Sequence, residues 1–226
     1  MTPTRSGVWR RDRLRAARLY LCADASAGGG DLAGFLDQVL EAGVDIVQLR
    51  DKHAGEDELL AAAEVFRAAA LRHDALFIFN DEPLFALDSG ADGVHVGQDD
   101  APVIEARRAI GREGLVGLST HSRGQIDRAL TQDCDYFAIG PVYATATKEG
   151  REPIGLDPVA HAAQTAGGRP WFVTGDMRPE TAVEVLATGA RGLVVVRAIT
   201  QADDPAAAVR ELRRVMQSAP ERLDQR

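Results

Sequence analysis

The sequence predicts an α/β fold, a (β/α)8 TIM barrel, built as a single domain over residues 1–226. Three observations carry that expectation. Short apolar, β-branched runs alternate with longer Ala/Leu/Glu/Arg segments of helical period, through eight units in one series. Strands separated by helices must pair in parallel, because each helix returns the chain to the same end of the sheet, and eight such units in about this length suit a closed barrel. No linker-like change of composition divides the chain.

In chain order the strand candidates are Leu19–Cys22, Asp45–Leu49, Leu76–Phe79, Gly93–Val96, Leu115–Leu118, Tyr136–Ile139, Trp171–Val173 and Leu193–Val196. The helix candidates that follow them are Leu32–Glu41, Asp57–Arg72, Pro83–Asp88, Val103–Ala109, Arg123–Thr131, Pro158–Thr165, Pro179–Ala187 and Pro205–Met216. Three joints repeat a local pattern: Ala42-Gly43-Val44-Asp45, Ser89-Gly90-Ala91-Asp92 and Thr188-Gly189-Ala190-Arg191. A glycine there suits the left-handed position that closes a helix before the next strand. An open, doubly wound sheet is the competing arrangement. It calls for a Gly-rich phosphate turn directly after the first strand, whereas Cys22-Ala23-Asp24-Ala25-Ser26 separates that strand from Gly28–Gly30.

Composition narrows the function. The chain is 45 % hydrophobic and 27 % charged, as expected of a globular protein, and its net charge is −8. Nonspecific nucleic-acid binding therefore has no electrostatic footprint, and no apolar run approaches membrane-spanning length. Cys22 and Cys134 sit far apart in apolar runs and read as buried thiols rather than a disulfide or metal site. Residues 1–15 carry Arg5, Arg10, Arg11, Arg13 and Arg15 without a signal-peptide core. They read as a solvated N-terminal arm, and the protein as cytoplasmic.

Polar residues cluster directly after the strand candidates, which in a barrel places them on one face. After the second strand come Gln48, Arg50, Asp51 and Lys52; after the third, Asn80 and Asp81; after the fourth, Gln98, Asp99 and Asp100. The fifth is followed by Ser119, Thr120 and His121, and the sixth by Thr145, Thr147 and Lys148. Gln48, Arg50 and Lys52 alternate at period two and project from one side; two cations and an amide there suit a diphosphate, although an exposed strand end would also carry such charges. Asp81 and Asp100 form a candidate carboxylate pair, and two carboxylates beside a diphosphate point to Mg²⁺. The competing role for Asp81, just ahead of Pro83, is a helix cap. Residues 140–150 are hydroxyl-rich and could close over phosphate groups, or form an ordinary surface loop. The five histidines show no metal-ligand spacing.

The ordered set Gln48-Leu49-Arg50-Asp51-Lys52, Asn80-Asp81, Val96-Gly97-Gln98-Asp99-Asp100, Gly117-Leu118-Ser119 and Thr145-Ala146-Thr147-Lys148 resembles the successive motifs of the thiamine-phosphate synthase family, and the resemblance extends from about Leu19 to Met216. It implies that Gln48, Arg50, Lys52, Asn80, Ser119 and Lys148 hold an aminopyrimidine diphosphate, with Leu49 and Asp51 in the same binding segment. It further implies Mg²⁺ on Asp81 and Asp100, and contacts from Thr145, Ala146 and Thr147 to a thiazole phosphate. The last phosphate contacts would come from backbone amides near Gly175 and Asp176 and at Val196 and Arg197. Arg50, Lys52, Lys148 and Ser119 would be catalytic, in a reaction joining the two small molecules with loss of diphosphate. The expected partners are those two substrates, with neither nucleic acid nor membrane, and a homo-oligomer is compatible with the sequence.

Two positions depart from the family pattern. Asp176 stands where the family usually has a second glycine after the seventh strand, and Arg197 stands where a small residue is often found. An uncompensated carboxylate beside a phosphate is unfavourable, so an Asp176–Arg197 pair is expected, or Arg197 on the phosphate with Asp176 turned to solvent. His121 keeps open a related thiazole tautomerase, and a non-catalytic barrel that binds a phosphorylated metabolite is the other alternative.

Overall fold

In the computed structural model, which describes residues 5–145 and 152–218, eight parallel strands close into a barrel in sequence order. They are β1 (Leu19–Ala23), β2 (Ile46–Leu49), β3 (Leu76–Asn80), β4 (Gly93–Val96), β5 (Leu115–Thr120), β6 (Tyr136–Ile139), β7 (Trp171–Val173) and β8 (Leu193–Val195). The helices between them are α2 (Leu32–Glu41), α3 (Glu56–Arg72), α4 (Pro83–Asp88), α5 (Val103–Ile110), α6 (Arg123–Thr131), α7 (Asp157–Thr165) and α8 (Pro179–Ala187). A short α9 (Arg197–Thr200) precedes α10 (Pro205–Ser218). The expected elements are all present, and the β1–β8 pairing closes the sheet. Gly43, Gly90 and Gly189 adopt positive φ, as their helix-closing positions require.

Because side chains alternate along a strand, each strand serves two cores. Outward residues such as Leu21, Val47, Phe77, Phe79, Val116, Phe137 and Val195 pack beneath the helices. Inward residues form a second cluster containing Tyr20, Ile46, Leu76, Ile78, Leu115, Tyr136, Phe172 and Val194. Toward the C-terminal ends of the strands the inward positions turn polar: Cys22, Gln48, Asn80, His95 and Ser119. That change from apolar floor to polar rim is what places a site on this face.

The opposite face departs from expectation. Residues 7–16 form a helix, α1, not a solvated arm. Ser6 caps it by accepting from the Trp9 N–H, and Leu14 packs into the inward cluster from below. The segment lacks a full apolar stripe, so its period was not visible; its arginines hold it instead. Arg5 and Arg10 pair with buried Asp92 at 2.9 and 3.0 Å, and Arg11 pairs with Asp135 at 3.0 Å. Asp45, Asp92 and Asp135 precede alternate strands, and each also accepts a backbone N–H of a neighbouring strand, from Leu19, Phe77 and Val116 respectively. The aspartates at two of the repeated joints thus seal the bottom of the barrel. Cys22 and Cys134 are buried free thiols. Among the described residues no helix is long and apolar enough to cross a membrane.

Candidate active site

A cavity of about 400 Å³ opens at the C-terminal end of the barrel. Gln48, Arg50, Asn80, Ser119, Thr145, Asp176, Val196 and Arg197 all line it, so strands distant in sequence converge on one space. Leu49 and Asp51 do not join them. Leu49 is an outward residue buried beneath the helices. Burial alone would raise the Asp51 carboxyl pKa, but backbone N–H groups of His53, Ala54 and Ala25 outweigh that and hold it below the usual range. Asp51 therefore organises the loop after β2, its carboxylate taken up by those N–H groups. Ala146, Thr147 and Lys148 lie outside the described residues.

The carboxylate pair stands beside this cavity, at the ends of β3 and β4. Asp81 adopts φ 66°, and its carboxylate pairs with the Lys52 ammonium. Asp81 does not take the helix-cap position, since Glu82 stands at the N-cap of α4, without a side-chain cap hydrogen bond. Burial pushes the Asp81 carboxyl pKa up; Lys52 draws it down, while Asp100 close by pushes it up again. Asp100 accepts from the Gly97 N–H at 2.7 Å, which sets its orientation. One ammonium, that of Lys52, pairs with Asp81 beside Asp100, and this acidic pair would suit a hard divalent cation. Among the described residues no group of three or more His, Cys, Asp or Glu side chains could hold a metal unaided. A pair fits Mg²⁺, which retains water and takes phosphate oxygens as further ligands.

The ends of β7 and β8 form the other side of the cavity. Gly175 has φ 110°, and a Cβ there would lie 2.4 Å from Val142 N, so only glycine permits this turn. Asp176 follows with φ 51°. Its carboxylate is held on both sides, 3.2 Å from Arg197 Nη2 and 3.1 Å from Arg178 Nε. The expected Asp176–Arg197 pair is present, and Arg178 is a second cation that sequence reasoning missed. In α9 the first internal bonds come from the Ile199 and Thr200 N–H groups to Val196 O, which leaves the Arg197 and Ala198 N–H groups ahead of the ladder. Guanidiniums and amides here make a setting for an anion.

His121 lies off the cavity lining; its Nδ1 contacts Gly140 O, and its backbone N–H donates to Gln125 Oε1 at 2.6 Å. Sequence reasoning also missed Tyr20, Cys22 and His95, which line the floor. Each occupies an inward position two or four residues before a polar rim residue on its own or a neighbouring strand. Strand phase could have found them, but their apolar neighbours made them look like ordinary core.

Two anion-suited regions flanking one cavity at the C-terminal rim define a (β/α)8-barrel enzyme site for phosphorylated small molecules. Residues 19–199 match the family model described as thiamine monophosphate synthase. The thiamine-phosphate synthase of Saccharopolyspora erythraea is 50 % identical over 218 residues, covering 93 % of this chain and 98 % of its own. That of Thermobifida fusca is 50 % identical over 211 residues, covering 92 % and 96 %. Among solved structures, a thiamine phosphate pyrophosphorylase from Pyrococcus furiosus superposes with a TM-score of 0.81 at 28 % identity, over 92 % of this chain and 98 % of that one. A 3-hexulose-6-phosphate synthase, at 20 % identity and a TM-score of 0.64 over 88 % and 99 %, shares the fold alone. The chain belongs to the thiamine monophosphate synthase family.

Proposed function

We propose that this chain joins 4-amino-2-methyl-5-(diphosphooxymethyl)pyrimidine to a thiazole phosphate, yielding thiamine phosphate and diphosphate. The observation that carries this reading is one cavity bordered on one side by a cation–carboxylate group at β2–β4 and lined on the other by a guanidinium-bearing turn at β7–β8. Two phosphorylated ligands can meet there with their uncharged parts between the charged ends.

Arg50, Lys52 and Lys148 bind the diphosphate, and Gln48, Asn80 and Ser119 orient the pyrimidine. Asp81 and Asp100 would hold Mg²⁺, which would supply positive charge to the leaving diphosphate. Thr145, Thr147 and the turns at Gly175–Asp176 and Val196–Arg197 hold the thiazole phosphate. The bond between the pyrimidine methylene carbon and the diphosphate oxygen breaks, and its electron pair leaves with diphosphate. The thiazole nitrogen then gives its lone pair to that carbon, so no covalent enzyme nucleophile and no proton transfer are needed. Arg50, Lys52 and Lys148 stabilise charge that grows as the bond breaks. The barrel walls limit capture of the methylene cation by water.

Incubating the protein with both substrates and Mg²⁺ tests the reading. Thiamine phosphate accompanied by diphosphate is expected. Isomerised thiazole without diphosphate would assign a tautomerase, and binding without turnover a non-catalytic module.

A further inference from the structure

Beneath the cavity a hydrogen-bonded chain of buried side chains crosses the barrel from β2 to β5. Gln48 Nε2 donates to the Tyr20 hydroxyl at 2.7 Å, the Tyr20 and Tyr136 hydroxyls are 3.0 Å apart, and Tyr136 lies 3.1 Å from His95 Nδ1. His95 Nε2 then lies 3.0 Å from Ser119 Oγ. At its other end, Cys22 Sγ donates to Gln48 Oε1 at 3.3 Å, which gives the amide its orientation.

A gap in the wall makes the crossing. His95 of β4, Gly117 of β5 and Tyr136 of β6 are register partners in one row. A Cβ on Gly117 would lie 2.4 Å from the Tyr136 hydroxyl and 2.5 Å from His95 Nδ1. The bare position on β5 is the space in which the tyrosine and the histidine meet.

Hydrogen-bond accounting then sets a direction. The Tyr20 oxygen already accepts from Gln48, so its own hydrogen has only the Tyr136 oxygen to go to among the described residues. Tyr136 must pass its hydrogen to His95 Nδ1. The ring therefore carries its hydrogen on Nε2 and donates to Ser119 Oγ, and the serine hydrogen turns to the cavity. Running the chain backwards would set the Tyr20 O–H against the Gln48 amide N–H, donor facing donor. Burial raises the pKa of both tyrosines, so each keeps the proton this ordering requires.

We infer that Tyr20, Tyr136 and His95 are positioning residues that form a one-way hydrogen-bond relay, holding His95 as its Nε2–H tautomer so that Ser119 offers a donor to the bound ligand. The site then selects a heterocycle with a hydrogen-bond acceptor at the point facing Ser119. Only the identity of that ligand, the aminopyrimidine, rests on the synthase reading; the tautomer does not.

The test begins without substrate. In the full-length protein labelled with ¹⁵N at histidine, the imidazole signals that vanish in His95→Gln should show a pyridine-type Nδ1 and a protonated Nε2. The opposite tautomer, or an even mixture, overturns the relay. Tyr136→Phe keeps the ring and removes the hydroxyl; His95 should then become a mixture, and an unchanged pure Nε2–H form would also overturn it. Tyr20→Phe, on the far side of the relay, gives a second reading should Tyr136→Phe fold poorly. In turnover assays, Tyr136→Phe should raise KM for the pyrimidine diphosphate about two- to fivefold, the factor by which a mixed tautomer population dilutes the competent form. KM for the thiazole phosphate should stay unchanged. Equal changes in both, or none, refute the positioning role. If the tautomer is as stated but no thiamine phosphate forms, the relay stands and the synthase reading falls.

Discussion

Replacing Arg197 with alanine tests how the chain tolerates a carboxylate where its family usually has glycine. A carboxylate about 5 Å from a phosphate charge costs roughly 3 kcal/mol at an effective dielectric near 20. Asp176 is spared that cost by two guanidiniums, at 3.2 Å and 3.1 Å. The side chains of Arg197 and Arg178 are 39 % and 51 % exposed, so solvent screens both pairs and each contributes about 1 kcal/mol or less. Removing Arg197 therefore uncovers between about 1 and 3 kcal/mol, or roughly fivefold to a hundredfold in affinity for the thiazole phosphate. Steady-state kinetics with each substrate varied in turn should show this as a raised KM for the thiazole phosphate, with KM for the pyrimidine diphosphate unchanged. The double variant Asp176→Gly/Arg197→Ala should recover much of the loss, because the exposed carboxylate goes with its partner. An Arg197→Ala enzyme with normal thiazole-phosphate KM, or a double variant no better than the single one, would refute the reasoning.

Four further outcomes follow from the structure. Asp81→Ala or Asp100→Ala should nearly abolish turnover while leaving the thermal transition close to wild type, and a chelator should mimic them until Mg²⁺ is restored. The folded protein raises the Asp81 carboxyl pKa. It thus holds that proton more tightly than the unfolded chain does, so the contribution of Asp81 to metal-free stability is present in acid and is lost as pH rises through the raised value, a loss that Asp81→Asn should remove. Mg²⁺ must displace the proton, so calorimetric titration should find affinity falling as pH is lowered; pH-independent affinity would place the metal elsewhere. Arg50→Ala should lower the rate of bond formation in single turnovers more than it weakens thiazole-phosphate binding, because it acts on charge that grows in the transition state. At the bottom of the barrel, Asp92→Ala would leave Arg5 and Arg10 without their buried counter-charge, and denaturant unfolding should show a loss of about 3–5 kcal/mol.

The parts of the fold legible in the sequence were those with a repeating period. Eight β-branched runs and the glycines closing their helices located the strands, and the polar residues after β2 to β5 marked the working rim. What escaped notice was held by charge or set by strand phase. α1 has few apolar residues and is tied down by Arg5, Arg10 and Arg11 to carboxylates distant in sequence, which no local pattern displays. His95 and Tyr136 sit in apolar runs that read as core, and only the register through Gly117 brings them together. Leu49 and Asp51 were named for their adjacency to Gln48 and Arg50; alternation turns the Leu49 side chain toward the helices, and loop N–H groups occupy the Asp51 carboxylate. The Asp176–Arg197 pair was legible because one charge in an unfavourable place required another, and neighbouring strand ends limited the candidates.

The most direct test follows the pyrimidine methylene carbon itself. With that carbon labelled with ¹³C, and with thiazole phosphate and Mg²⁺ present, its NMR signal should move from the diphosphate ester to the nitrogen-linked position of thiamine phosphate. One diphosphate should appear for each carbon transferred. A signal that stays at the ester, or that moves to the free alcohol through capture by water, would contradict the account.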